Sequence, residues 1–202
     1  MLRISDDSIC AAAGLLVKCF TDDPLVNIQM KNIRDKDTLL LQMMKVQVHT
    51  CLKTMDVITD ETETESLLIG YEKRRANILK EILWGILFSA RYLKDIDKGD
   101  RREFGKNSRM VPKVTNLSWQ NEFIPGNYYR IKIIAIEPTK RGIGIFRRLV
   151  SPILEINDKR GLATILETNI EKNIPIYEHY GFQLVKEFAF AESIKQFCFV
   201  KK

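Results

Sequence analysis

The residues of this chain best suited to chemistry lie in its last third. Arg141-Gly142-Ile143-Gly144-Ile145-Phe146 falls between a run rich in β-branched residues and a helical pattern. Glycines at such a junction let the backbone approach a ligand, and the free N–H groups of the first helical turn, backed by the helix dipole, form an anion site. Lys140, Arg141, Arg147 and Arg148 add positive charge around it, as a pyrophosphate-bearing ligand requires. The spacing is neither that of a Walker loop nor that of a dinucleotide fingerprint. An ordinary strand-to-helix turn, using Gly for its positive φ, is the competing reading. Further on, a strand ending Leu166-Glu167-Thr168, a loop, a short helix bearing Tyr177 and a turn at Gly181-Phe182 follow in order.

Other chemistries find little support. The four cysteines, Cys10, Cys19, Cys51 and Cys198, are far apart and form no C-x-x-C pair, and His49 and His179 are the only histidines. That pattern argues against zinc and against a disulfide framework, so each cysteine is read as a small apolar core residue and no metal is expected. The apolar runs Ile82–Ala90 and Tyr128–Ile136 are far short of the ~20 residues of a membrane span, so no membrane partner is expected. Met1–Asp7 carries no basic and apolar leader pattern, which makes a cytoplasmic location the default expectation.

The chain has 202 residues, 45% of them apolar and 29% charged, which fits one globular domain and excludes disorder or coiled coil as the main class. Its net charge of +6 resides between Tyr71 and Lys113, where 12 Lys and Arg face 6 Asp and Glu. A nucleic acid or acidic ligand is one reading of this segment. With Phe104 the only aromatic residue among the charges from Asp97 to Lys113, a solvated helix face followed by a polar loop is the better one, and nucleic acid is disfavoured.

The elements that must position the chemistry follow from periodicity. Helices are expected over Asp6–Phe20, with Ser5, Asp6 or Asp7 as cap, and over Asp35–Leu52. Met55–Thr59 and Ser66–Tyr71 read as a hairpin closed by the acidic turn Asp60–Glu63. Glu72–Lys98 reads as a third helix whose stripe of Ile78, Leu79, Ile82, Leu83, Ile86, Leu87 and Tyr92 is expected to be core. Gly99–Gly126, with Pro112 and Pro125, reads as a long loop. Tyr128–Ile136 is expected to be a central buried strand, Gly142–Arg160 a helix that Pro152 kinks or deprives of a hydrogen bond, and Leu162–Thr168 a strand. Asn173–Tyr180 is a short helix, and Gln183–Phe190 and Ile194–Val200 a final strand pair. Strand, helix, strand, helix, strand demands at least one parallel crossover.

Here the chain resembles the GCN5-related N-acetyltransferase superfamily. That family's signature V-x-P-x-x-[RQ]-G-x-G-x-[GA] is matched up to its last position by Ile136–Phe146, and a looser N-x-P/A-x-Y-x-x-x-G-F pattern by Asn173–Phe182. The Leu166-Glu167-Thr168 strand, the proline in the preceding helix and Cys19-Phe20-Thr21-Asp22-Asp23-Pro24-Leu25 are similar to one bacterial and fungal subgroup. The resemblance implies an α/β (α+β) fold with a mixed central sheet of six to seven strands flanked by helices, splayed into a V between two central parallel strands. One domain over residues 1–202 is expected, with 128–190 as the acyl-CoA-binding core and 1–127 holding the first helices, the hairpin and a substrate-side insertion.

The same resemblance implies acetyl-CoA as co-substrate and a small-molecule primary amine as acceptor, joined by direct attack. Pantetheine would pair with the strand edge at Ile134, Ala135 and Ile136, and pyrophosphate would rest on the N–H groups of Gly142, Ile143, Gly144, Ile145, Phe146 and Arg147 next to Arg141. Asn173 would touch the pantetheine arm, and Tyr177 would protonate the departing thiolate, which a phenol of ordinary pKa near 10 can do. An alkylamine needs a base; Glu167 and Glu122 are candidates beside a water chain, with His179 read as exposed. Where the family has Gly or Ala this chain has Phe146. Either its ring turns into the core, or it crowds the pyrophosphate and the chain is a non-catalytic relative that uses its basic segment for a partner. Pairing of the final strands between two subunits, a homodimer, is open beside ordinary burial.

Overall fold

β-Branched runs become strands and the 3.6-residue apolar patterns become helices, in a mixed order that builds one sheet with helices on both faces. The structure, a computed structural model, describes residues 2–3 as backbone and residues 8–59, 65–190 and 194–202 in full. The elements are β1 (Leu2–Arg3), α1 (Ile9–Phe20), α2 (Pro24–Gln29), α3 (Lys36–Thr54), β2 (Asp56–Thr59), β3 (Ser66–Glu72), α4 (Ile78–Tyr92), α5 (Lys98–Ser108), β4 (Tyr128–Ile136), α6 (Ile145–Lys159), β5 (Ala163–Thr168), α7 (Ile174–His179), β6 (Gln183–Ala189) and β7 (Lys195–Lys201). The sheet order is β1-β2-β3-β4-β5-β7-β6. Every neighbouring pair is antiparallel except β4 and β5.

That parallel pair is where the sheet opens. Tyr128, Tyr129 and Arg130 pair with Ala163, Thr164 and Ile165, and beyond them the two strands run on without pairing each other. The result is the expected V. On its other edge β4 carries a bulge: pairing with β3 steps from Ile69 opposite Ile133 to Gly70 opposite Ile131, so Lys132 is the extra residue. Gly70 is needed there, because a Cβ would lie 2.6 Å from the Tyr129 ring and 2.8 Å from the Arg130 carbonyl oxygen.

α1 and α3 cover one face through a core that includes Leu16, Leu39, Leu67 and Ile69, and α6 covers the other through Leu149, Val150 and Ile153 against Leu68, Ile131 and Phe199. A third cluster, Trp119, Ile124, Tyr128, Ile165, Cys198 and Val200, closes the far half of the sheet. α6 runs continuously through Pro152, whose missing N–H leaves the Arg148 carbonyl without its helical donor.

Four expectations need correction. α1 begins at Ile9; the residues read as its cap lie outside the described residues, as does the hairpin turn at 60–64. α2 was not anticipated; Asp23 caps it by accepting from the Leu25 and Val26 amides, with Pro24 at its first position. Gly99–Gly126 is not one loop: Asp97 caps α5 by accepting from Gly99 and Asp100, and two short 3-10 turns follow at Val111–Lys113 and Trp119–Glu122. A helix without an apolar stripe escapes a reading based on periodicity.

The third helix is likewise shorter than read, starting at an Asn77 cap after a 3-10 turn at Lys73–Arg75. Its apolar stripe is not core. α4 packs on α3 through Phe88, which stacks on His49 with ring centroids 3.6 Å apart, and through Tyr92, whose hydroxyl lies 3.1 Å from His49 Nδ1. Ile78, Leu79, Ile82, Leu83, Ile86 and Leu87 point to solvent.

Candidate active site

The mouth of the V, the start of α6 and α7 enclose a cleft of about 570 Å³. Ile134 and Ile136 of β4, Arg141, Gly142 and Gly144 of the turn, Ile145 and Phe146 of α6, and Asn173 and Tyr177 line it together. These come from motifs far apart in the chain, and the fold brings them to one place. Ala135 instead turns into the α1–α3 core, and Ile143 and Arg147 are exposed outside the lining.

Gly142 and Gly144 both adopt left-handed backbone, with φ of +84° and +85°, which turns the chain sharply into α6. The first helical hydrogen bond runs from Arg148 N to Gly144 O. The N–H groups of Ile145, Phe146 and Arg147 therefore have no acceptor within the helix and face the turn, as an anion site requires. Lys140, Arg141 and Lys172 line the cleft, and no carboxylate does so among the described residues. Such a lining favours an anionic ligand. Arg141 bends back, its Nε donating to the Ile136 carbonyl at 3.3 Å, and the same oxygen accepts from Cys19 Sγ at 3.3 Å. Of the β4 edge, Ile134 and Ala135 are thus less encumbered than Ile136. Burial raises the Cys19 thiol despite the Arg141 guanidinium beside it, so the thiol stays protonated.

Phe146 neither vanishes into the core nor lies across the glycine turn. Its ring packs on Tyr180 at 4.7 Å and Tyr177 at 6.1 Å between centroids, making part of the cleft wall. Tyr177 is held from behind by Phe199 at 5.3 Å. Burial pushes its phenol up to about 12, so it remains a proton donor across the whole neutral range. Thr168, at the tip of β5, organises this corner. Its Oγ1 accepts from the Ile170 amide at 3.2 Å and from Asn173 Nδ2 at 3.1 Å. Thr168 also interacts with the Tyr177 phenol, which offsets part of the rise that burial causes.

The candidate bases lie elsewhere. Glu167 does not line the cleft: its Oε2 accepts from Trp119 Nε1 at 3.1 Å and sits 3.3 Å from Arg130 Nη2, which belongs to a guanidinium that also donates to Gln120 Oε1 at 2.9 Å. Glu122 is 3.8 Å from Lys186 at the surface, and His179 is exposed, edge-on to Tyr180. Thr168, Cys19, Phe20 and Tyr180 are site residues that residue-by-residue reading missed. The Leu166-Glu167-Thr168 and Cys19-Phe20 strings and the Asn173–Phe182 pattern were the signals for them.

No family model matches the chain. An uncharacterized N-acetyltransferase of Schizosaccharomyces pombe is 25% identical over 186 residues, spanning 89% of this chain and 72% of the relative. Among solved structures, one from Corynebacterium glutamicum, of histone acetyltransferase HPA2 and related acetyltransferases, superposes with a TM-score of 0.63 at 12% identity, covering 99% of this chain and 93% of the other. Arylalkylamine N-acetyltransferase 2 of Aedes aegypti does so with a TM-score of 0.56 at 19% identity, covering 99% and 96%. In sequence and in fold the chain resembles the GCN5-related N-acetyltransferase superfamily. It has the splayed parallel pair and the glycine turn that the resemblance implies, with Phe146 forming part of the cleft wall.

Proposed function

We propose that this chain is an N-acetyltransferase that moves the acetyl group of acetyl-CoA to the primary amine of a small molecule by direct attack within a ternary complex. One observation carries the reading: the unpaired edge of β4, the free N–H groups at the start of α6 and the Tyr177 phenol all border a single cleft. The fit to coenzyme A rests on the left-handed glycines that leave the turn bare and on a lining that is cationic and, among the described residues, free of carboxylates. When bound, acetyl-CoA supplies an activated thioester carbonyl.

In this reading Ile145, Phe146 and Arg147 amides hold the pyrophosphate, helped by Arg141 and Lys140, and Ile134 and Ala135 hold the pantetheine arm beside Asn173. Tyr177 gives its proton to the sulfur as the carbon–sulfur bond breaks and the carbon–nitrogen bond forms. The proton shed by the amine leaves through water or through Glu167, which must first loosen its pair with Arg130 to take it. Holding both partners in the slot contributes much of the rate. Residues 128–190 form the acyl-CoA-binding core, and the segment before Tyr128 forms the acceptor side of a single domain.

Calorimetric titration with acetyl-CoA and with CoA tests the reading, followed by transfer assays on a panel of primary amines. Micromolar binding and turnover are the expected results. Absence of binding up to millimolar ligand overturns the reading. Binding without transfer to any amine favours a second one, a ligand-binding relative without turnover, for which the specific observation is that no carboxylate or imidazole among the described residues borders the cleft.

A further inference from the structure

The stripe on α4 is a large apolar surface with nothing over it. Ile78 and Leu79 are 70% and 80% exposed, and Ile82, Leu83, Ile86 and Leu87 are 54%, 56%, 62% and 48% exposed. Scattered exposed apolar residues need no explanation, but six on one face of one helix do. They form two adjacent rows, 78-82-86 and 79-83-87, along the side of α4 opposite the Phe88 and Tyr92 that pack on α3.

What lies around the stripe selects its occupant. Arg74, Arg75 and Lys80 surround its N-terminal end, and Arg91 and Lys94 its C-terminal end, all exposed. Arg74, Lys80, Arg91 and Lys94 have no acidic partner among the described residues, while Arg75 reaches Asp56 only at 3.9 Å. Of the nearby carboxylates, Glu72 is held 2.8 Å from Arg160 and Glu81 2.9 Å from Lys132 on β4, Asp97 is paired with Arg34, and Asp95 stands exposed at the far end. The segment that carries the whole net charge of the chain is thus the one that carries the bare apolar face.

We infer that this face lies on an anionic lipid surface. A second copy of the chain fits it badly. In a two-fold pair with the helices antiparallel, Arg74 and Lys80 of one copy meet Arg91 and Lys94 of the other; with the helices parallel, each cation meets its own counterpart. Both arrangements juxtapose like charges. A rigid protein partner needs a groove, since side chains up to 80% exposed form a ridge rather than a recess. A bilayer interface yields to a ridge, accepts apolar side chains below the headgroups and attracts the cations beside them. The shortness of the apolar runs excludes a span but not this arrangement, in which the helix rests in the plane of the interface. The inference is independent of the proposed transferase reaction.

Vesicle flotation tests it, using the full chain with phosphatidylcholine vesicles, alone or with about 30 mol% phosphatidylserine. Binding to the anionic vesicles should exceed that to the neutral ones by roughly tenfold or more, and should fall steeply between about 0.1 M and about 0.5 M salt. Leu79→Glu/Leu83→Glu should abolish it, and Arg74→Gln/Lys80→Gln/Lys94→Gln should weaken it by about tenfold or more. All these positions are exposed, so melting temperatures should not change; should a variant fail to fold, the wild-type comparison of the two vesicles still decides. Equal recovery with both vesicles, or none with either, overturns the inference. So does a concentration-dependent dimer that Leu83→Glu dissociates, which assigns the face to a second copy. Binding of duplex DNA that ignores Leu79→Glu/Leu83→Glu, without vesicle binding, assigns the segment to nucleic acid instead.

Discussion

Tyr177 and Thr168 act as one unit. Thr168 takes hydrogen bonds from Ile170 and Asn173 and interacts with the Tyr177 phenol, which ties the phenol to the end of β5. In Tyr177→Phe the proposed proton source is gone while the aromatic packing on Phe199 and Phe146 stays. Turnover should fall by about 10²–10⁴-fold with CoA affinity nearly unchanged; steady-state kinetics beside calorimetry separates the two. Burial sets the phenol at about 12, above the value near 10 of an unfolded chain. Below about pH 10 both states keep the proton, so its contribution to stability is fully present, and it is lost as the pH rises from about 10 through about 12. The rate profile should accordingly show no alkaline fall below about pH 10; a descending limb near neutrality would assign the acid role to another group. Thr168→Val strands the Asn173 amide and the phenol oxygen together. It should cost about 1–3 kcal/mol in chemical denaturation and lower turnover as well.

At the scale of elements, the strand-turn-helix from β4 to α6 depends on two left-handed residues. Gly144→Ala has open space for its methyl, with Arg148 Nη1 at 3.8 Å the nearest atom, but not the backbone freedom. A stability loss of about 1–2 kcal/mol is expected from the strain alone, with weaker CoA binding because the N–H groups of Ile145 to Arg147 no longer converge. Much of this region was legible in the sequence, since its glycines, its β-branched strand and the Pro175-Ile176-Tyr177 helix have strong local signatures. α2 and α5 were not. Their ends are marked by Asp23 and Asp97, but α2 is a single short stretch and α5 buries Asp100 and Asn107 rather than an apolar stripe. Burial tends to raise the Asp100 carboxyl, yet the Arg34 and Asp35 amides and the Arg34 side chain outweigh it and hold it below the ordinary range. Such polar docking leaves no periodic trace. α4 fails the opposite way: its periodicity was seen, but which side faces the protein was decided by His49 stacking on Phe88. Nor did spacing reveal that Glu167 belongs to an ion pair with Arg130, because that needs the Trp119 segment folded against β5.

For the whole molecule, the halves of the sheet on either side of the V share only three paired residues across β4 and β5. A ligand filling the gap joins them. At about 100 times its dissociation constant acetyl-CoA should stabilise the fold by ~2.7 kcal/mol, a rise of about 5–10 °C in melting temperature for a chain of this size. Thermal melts with and without ligand check this, and no shift would contradict a cleft that bridges the halves. How far the halves diverge is governed by something small. Gly70 stands opposite Ile131, where the bulge begins, and against the carbonyl of Arg130, the last β4 residue joined to β5. One hydrogen atom in place of a methyl group there acts as the fulcrum of the fork. Gly70→Ala would lever the Tyr129 ring and the vertex apart from outside the cleft, changing the aperture available to an acyl chain without altering any residue that borders it.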